Sequence, residues 1–492
     1  MVYMAGTSGL RNQASLERHK KTTPRTEKEE TMAAEHAART ESFDPYALDP
    51  NDVMEPPQTF GEIMRKTGPG IVLAASIVGS GELILTTTLG AKVGYMMMWL
   101  IILSCLIKAV VQAFLGRYTI AMAETGLDAV NRIPGPRIRV GWVVWAWAAM
   151  VFMTLFQITG MFIGVSQTMN SIVNSVPVTA WVLMFLVLAL ALLLGGAYHR
   201  IEKLAMIKVG VFTLITLMSA VLLLSSPDFH VAELAQGFTF QIPEAGLAVA
   251  VAVFGITGVG ATELYIYTYW CVEKGYARYT GPREDSEAWR RRARGWIRVM
   301  NFDVVGSMII YTIATVAFYL LGAGILNKMG LVPDGKLMIA TLTNIYTQTF
   351  GEWAKWLFYL GAIVILFGTI IAATAGHSRM FADFMRLQGT FRKDDSRARN
   401  RWRDIFTVIL LVIPVIFFFI FGQAPVQMVV WGAIAQAMML PIISFATVYL
   451  IQSKLPKELK APAWLTALLW LGAIVITGFV VPALVSELKK LF

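Results

Sequence analysis

An all-helical integral membrane protein is the fold class this sequence predicts, and three observations predict it. Of its 492 residues 56 % are hydrophobic and only 15 % charged, with mean hydropathy +0.60, values outside the range of a soluble globular chain. Apolar runs long enough to cross about 30 Å of hydrocarbon recur from residue 68 to near the end of the chain. Basic residues gather in every second connection between those runs, as they do in cytoplasmic loops.

The elements follow in chain order. Residues 1–60 are polar and mixed in charge, as in Arg18-His19-Lys20-Lys21 and Glu27-Lys28-Glu29-Glu30. They are expected to form a disordered cytoplasmic tail, because they bury too little apolar surface to order themselves. No apolar core with a small-residue cleavage site follows Met1, so no cleavable signal peptide is expected. A transmembrane domain over 61–492 then carries about eleven spans, centred on 68–91, 94–117, 141–168, 178–197, 202–225, 245–271, 299–325, 352–377, 403–422, 426–451 and 463–487.

Charge sets the orientation. Arg65 and Lys66, then Arg117 to Arg139, Arg200 and Lys203, Arg290 to Arg294, Arg397 to Arg403 and Lys454 to Lys460 fall in alternate connections. The intervening loops are almost free of basic residues, which predicts a cytoplasmic amino terminus and an extracytoplasmic carboxyl terminus in a prokaryotic inner or plasma membrane. The net charge of +10 therefore reads as membrane orientation and not as nucleic-acid binding. The arginine runs also suit anionic lipid. Two cysteines, Cys105 and Cys271, make neither a disulfide framework nor a metal-ligand cluster. No nucleophile, base and orienting group can be assembled, so an enzyme is not expected, nor a cofactor.

Two of the runs are interrupted in a way that lipid-facing helices are not. Gly79-Ser80-Gly81-Glu82 breaks the first, and Gly255-Ile256-Thr257-Gly258-Val259-Gly260-Ala261-Thr262-Glu263 breaks the sixth. Glycine weakens a helix and a mid-membrane charge is costly, so each break marks a site. Five spans separate them, and a second five-span unit must insert upside down. The expected architecture is a five-plus-five inverted repeat, 68–225 and 245–451, with 463–487 as an added helix. Carbonyls and amides freed at the breaks cannot face lipid, so the breaks are expected to face each other across a polar cavity.

With these features in place the chain resembles the Nramp family of divalent metal transporters, which has the LeuT-type fold of the amino acid, polyamine and organocation superfamily. The resemblance is carried by Gly68-Pro69, Gly94-Tyr95, Gln112 and Arg117, Arg200-Ile201-Glu202, Gly260-Ala261-Thr262 and Leu440-Pro441, in that order along nearly all of the membrane region. It implies a metal transporter in which the backbone carbonyl of Ala261 is a ligand. It also exposes departures. The family's metal-binding aspartate falls on Gly79 and its asparagine on Glu82. Its methionine, proline and histidine fall on Leu264, Tyr265 and Ile266. The acidic pair linked to proton passage in the third span falls on Thr154 and Gln157.

Without a thioether, the remaining donors are oxygens, which suit hard cations. The expected function is transport of a hard divalent cation of the magnesium or manganese class by alternating access, with weak or absent proton coupling. Gly79, Ser80, Gly81, Glu82, Ala261, Thr262, Glu263 and Leu264 form the expected substrate site. Glu82, Glu263 and the Ala261 carbonyl would hold the metal. Lys108, about 20 Å along the second span from Tyr95 at ~1.5 Å per residue, is near mid-membrane and could pair with Glu82. Lys208 could snorkel to the interface or take the place of a coupling cation. The oligomeric state stays open, a monomer being compatible.

Two other functions are compatible with the same residues. Gly79-Ser80-Gly81 resembles a segment that cradles a substrate carboxylate on half-helix amides, which would suit an amino acid or another small organic substrate. A non-transporting sensor or channel is the other. Asp303 reads as a helix cap or loop partner, His377 as an interfacial residue beside Arg379, and Gln436 as either a cavity residue or a helix-to-helix hydrogen bond.

Overall fold

The protein is described by a computed structural model over residues 46–70, 79–194, 198–226, 229 and 231–489, with the side chains of 198–209 and 488 outside that set. Within it the regular secondary structure is helical apart from a two-residue β-ladder, Arg137–Ile138 with Val140–Gly141. Among the described residues eight helical segments are long and apolar enough to cross a membrane, and Val178–Leu194 and Gly210–Leu224 are shorter apolar ones. The first half of the first expected span, 71–78, lies outside the described residues.

The elements that position the site are numbered here in chain order. Helix α1 is Phe60–Lys66, before the membrane region, and is closed by a capping box in which Thr59 and Glu62 satisfy each other's end of the first turn. Gly81–Thr86 is wound as a π-turn and passes into α2, Thr87–Val93. Then come α3 (Met98–Met122) and α4 (Trp142–Ile172). The sixth expected span is two helices, α5 (Leu247–Ile256) and α6 (Ala261–Lys274). They are followed by α7 (Glu287–Leu321), α8 (Ala354–Leu387), α9 (Ser396–Phe421), α10 (Pro425–Ser453) and α11 (Ala463–Lys489).

Three helices outrun the apolar windows. α7 begins at Glu287 behind the Ser286 cap, α8 runs on to Leu387, and α9 starts at Ser396. Their charged ends are good helix formers, and an apolar window stops where charge begins while the backbone does not. Met338–Phe350, in the connection between α7 and α8, is a further helix that the apolar runs did not predict.

Small residues let the site-bearing helices approach closely, as they do where lipid supplies no hydrophobic drive for association. At Gly432 of α10 a Cβ would sit 2.8 Å from the Gln157 Cβ and 3.0 Å from its amide nitrogen, so α4 and α10 cross almost backbone to backbone. At Gly255 of α5 a Cβ would be 2.8 Å from the Ala437 nitrogen, which fixes α5 on the same helix. α10 therefore touches both the break and the third expected span.

Of the tail expected over 1–60, residues 46–60 are described, and they lie against the carboxyl-terminal end of α6 and the amino-terminal ends of α7 and α9. Tyr46 donates to Glu273 at 2.8 Å, its ring lies 4.7 Å from the Arg399 guanidinium carbon, and the Trp296 indole donates to the Met54 carbonyl at 3.0 Å. Aromatic and methionine anchors in an otherwise polar segment are what hold it there.

Candidate functional site

The sixth span breaks where its sequence changes. Leu247–Ile256 is uniformly apolar and helical; Thr257 turns extended, and Gly258 adopts φ +66°, a left-handed conformation that glycine enters without strain. Helix resumes at Ala261. The four residues between leave backbone groups without intrahelical partners, and side chains from other helices take them up.

Lys108, fully buried on α3, reaches these carbonyls. Its Nζ donates to the Phe254 carbonyl at 2.8 Å and to the Thr257 carbonyl, and lies 5.6 Å from the centre of the Phe254 ring. Ser104, one turn earlier, also donates to the Phe254 carbonyl at 3.4 Å. The pairing of Lys108 with Glu82 considered from the sequence is thus replaced by bonds to backbone, because the unwound end of α5 offers carbonyls nearer to the ammonium.

Glu82 is buried in the π-turn and held by two donors. Its Oε2 accepts from the Gly79 amide at 3.3 Å, and its Oε1 accepts from Thr315 Oγ1 of α7 at 3.3 Å. The two breaks meet directly. Thr86 and Thr257 hydroxyls are 3.3 Å apart, and a Cβ on Gly81 would lie 3.4 Å from the Ile256 side chain. At Gly79 a Cβ would stand 2.6 Å from Thr369 Oγ1 of α8, so the position has no room for a side chain.

Glu263 opens the other half of the site. It is half-buried at the start of α6, where Thr262 Oγ1 donates to its Oε2 at 2.7 Å. The Thr262 backbone amide donates to Gln436 Oε1 at 3.3 Å, Gln436 Nε2 donates to Gln157 Oε1 at 2.9 Å, and Gln157 Nε2 donates to Ser80 Oγ at 3.0 Å. A chain of hydrogen bonds thus joins the first expected span, α4, α10 and α6. A Cβ on Gly260 would lie 2.6 Å from Gln436 Oε1, so glycine there leaves the space that this network fills.

Of the residues expected at the site, Ser80, Gly81, Glu82, Thr262 and Glu263 are brought to this meeting point. Ala261 and Leu264 are buried beside it on α6. The Lys208 side chain lies outside the described residues. Gln436 proves to be a network member, and Gln157 stands where the sequence comparison placed a lost carboxylate. Among the described residues no group of three or more His, Cys, Asp or Glu side chains could hold a metal ion by themselves, so any metal here would also need carbonyl, amide or water oxygens.

Two other readings resolve. Asp303 is a cap, but of the first expected span. Its carboxylate accepts from the Gly68 amide at 2.9 Å, from the Gly70 amide, and from the Tyr267 hydroxyl at 3.2 Å. His377, expected at the interface, is instead buried at 4 % exposure, because α8 continues ten residues past it to Leu387. Neither of its ring nitrogens has a hydrogen-bond partner among the described residues.

Comparison with known proteins bears on the whole arrangement. The sequence profile described as Nramp, natural resistance-associated macrophage protein-like, matches residues 70–486. A crystal structure of a manganese transporter mutant from Eremococcus coleocola is 16 % identical, with TM-score 0.60 over 91 % of this chain and 92 % of that one. The nucleobase-cation-symport-1 family transporter Mhp1, in a closed conformation, aligns with TM-score 0.55 at 11 % identity over 90 % of this chain and 96 % of its own. A protein of Pasteurella multocida described as uncharacterized is 24 % identical over 389 residues, 78 % of this chain and 84 % of that protein.

Proposed function

This chain belongs to the Nramp family, a family of multi-pass membrane transporters of divalent metal ions and not of enzymes, and from that premise we propose that its cargo is a hard divalent cation of the magnesium or manganese class. The observation that carries the reading is the chemistry of the meeting point: Ser80, Glu82, Gln157, Thr262, Glu263 and Gln436 bring carboxylate, amide and hydroxyl oxygens to the two breaks. Oxygen donors with two negative charges suit a hard ion that keeps part of its water. Glu263, half-buried, supplies the entering charge, and Glu82 supplies the second charge behind it.

Alternating access would rock the elements that carry the two breaks against a frame containing α4 and α10. The amide network from Ser80 to Glu263 spans that division, so it must part and reform in each cycle. Proton movement coupled to the cation is weak or absent, since Thr154 and Gln157 carry no exchangeable charge. The amino terminus lies in the cytoplasm, as the arginine-rich connections require.

One contact weighs against an amino acid cargo. The Glu82 carboxylate already sits on the Gly79 amide, one of the groups that would cradle a substrate carboxylate. The deciding experiment is calorimetric titration of the purified protein with magnesium, manganese, calcium and a panel of amino acids, beside Glu263→Gln. Saturable divalent binding lost in the variant is expected. Heat from amino acids alone, or divalent binding indifferent to Glu263, would overturn the reading.

A further inference from the structure

The unwound end of α5 has the chemistry of a monovalent-cation site, and it is occupied by part of the protein. Two carbonyls, of Phe254 and Thr257, converge where the helix stops. They form the negative end of the α5 dipole. The Phe254 ring presents its face within 5.6 Å, and Glu82 and Glu263 lie within electrostatic reach of the same point. Carbonyl and carboxylate oxygens around a buried point attract a small cation. Here the cation is the Lys108 ammonium, carried in on α3.

We propose that Lys108 is a tethered substitute for a free monovalent ion: its ammonium fills a carbonyl site at the break of the sixth span, so that the protein binds and moves its cargo without sodium or potassium. A bound ion would serve the same structural purpose, holding the broken helix in shape by neutralising carbonyls that lipid cannot satisfy. The ammonium does this permanently because it is covalently attached. Ser104 supports it from the preceding turn of the same face, through its own bond to the Phe254 carbonyl. The arrangement also explains a buried lysine that makes its hydrogen bonds to backbone. Burying an ammonium is costly, and two carbonyls with two nearby carboxylates offset that cost.

The inference extends the transport reading, but its test needs no divalent binding and can fail independently. The full-length protein is purified in choline chloride and exchanged into lithium, sodium or potassium chloride at constant ionic strength. Thermal unfolding is followed for the wild type, Lys108→Ala and Lys108→Ser. The wild type is expected to melt at the same temperature in every salt. Each variant is expected to melt lower in choline and to recover by a few degrees in one alkali chloride, saturably and with preference for one ion size. Alkali-dependent melting of the wild type would overturn the proposal. So would a folded variant indifferent to all three ions, or failure of both variants to fold in any salt, since a free ion could then not replace the ammonium. Calorimetric magnesium titration of the wild type in sodium and in choline chloride adds a check, with equal affinity expected and a sodium requirement refuting.

Discussion

Gly79→Asp introduces the residue type that the resemblance to the Nramp family implies at this position, and the structure predicts that it fails for a steric reason. A Cβ at 79 would stand 2.6 Å from Thr369 Oγ1 and 3.0 Å from Thr369 Cγ2, and the carboxyl group adds three more heavy atoms. Either the first span or α8 must move, which costs about 1–3 kcal/mol as overpacking. Thr369 also loses its bond to the Ile365 carbonyl, now 2.8 Å, if its side chain turns away, about 1 kcal/mol more. A new carboxylate three residues from buried Glu82 adds like-charge repulsion in a poorly solvated place.

The total is about 2–4 kcal/mol, with a fall of several degrees in the unfolding temperature. Thr369→Ala removes both clashing atoms and leaves the nearest contact, its Cβ, at 3.3 Å. Gly79→Asp should therefore be rescued by Thr369→Ala, with a coupling of at least about 1 kcal/mol. Thermal unfolding of all four members of the cycle measures it, and manganese calorimetry on the double variant asks whether the introduced aspartate also supplies a ligand. A Gly79→Asp single variant as stable as the wild type, or strictly additive effects, would refute the packing argument.

Four further outcomes are expected. Glu82→Gln should weaken divalent binding about tenfold or more by calorimetry, because a neutral group halves the charge of the site while keeping its shape. Gln436→Leu severs the link between Thr262 and Gln157, two hydrogen bonds worth about 1 kcal/mol each, and should lower the unfolding temperature while slowing cation uptake into vesicles. Asp303→Ala should speed amide exchange at Gly68 and Gly70, whose donors it now holds, and unchanged exchange would show the cap to be idle. In α1 the carboxyl of Glu62 is held below its ordinary range by hydrogen bonds from the backbone amides of Thr59 and Gln58 and from the Thr59 side chain. A depressed carboxyl stabilises above its unfolded value and ceases to as pH falls through its folded value, so the first turn of α1 should fray in acid. Hydrogen exchange on that turn should follow this course, and Glu62→Gln should remove the dependence.

Much of this arrangement was legible in one dimension. The two breaks announce themselves because glycine and glutamate are out of place in apolar runs, and both glutamates are found where the breaks meet. What could not be read is what each polar group reaches. The rise per residue puts Lys108 at mid-membrane, but whether it meets a carboxylate or a carbonyl depends on how α3 crosses α5. Gln157 and Ser80 are 77 positions apart, and their bond exists because Gly432 lets α4 and α10 close up. His377 was misplaced because hydropathy ends near it while α8 does not. Gly79 carried a signal of its own kind: a position that has lost its side chain implies a neighbour occupying the space, though not that the neighbour is Thr369.

The π-turn at Gly81–Thr86 has a consequence for how such a chain can change length. A π-turn accommodates one residue more than an α-turn over the same stretch of helix. The chain thus carries a spare residue beside Glu82, and a single deletion there could be absorbed by tightening to α geometry, leaving the contacts of α2 with α7 in register. The same deletion within α2 would swing every following side chain by about 100°, since each residue advances an α-helix by that angle. Length differences among related chains should therefore collect at this turn, and the glutamate that marks the site is also where the first span can shorten without losing its fit.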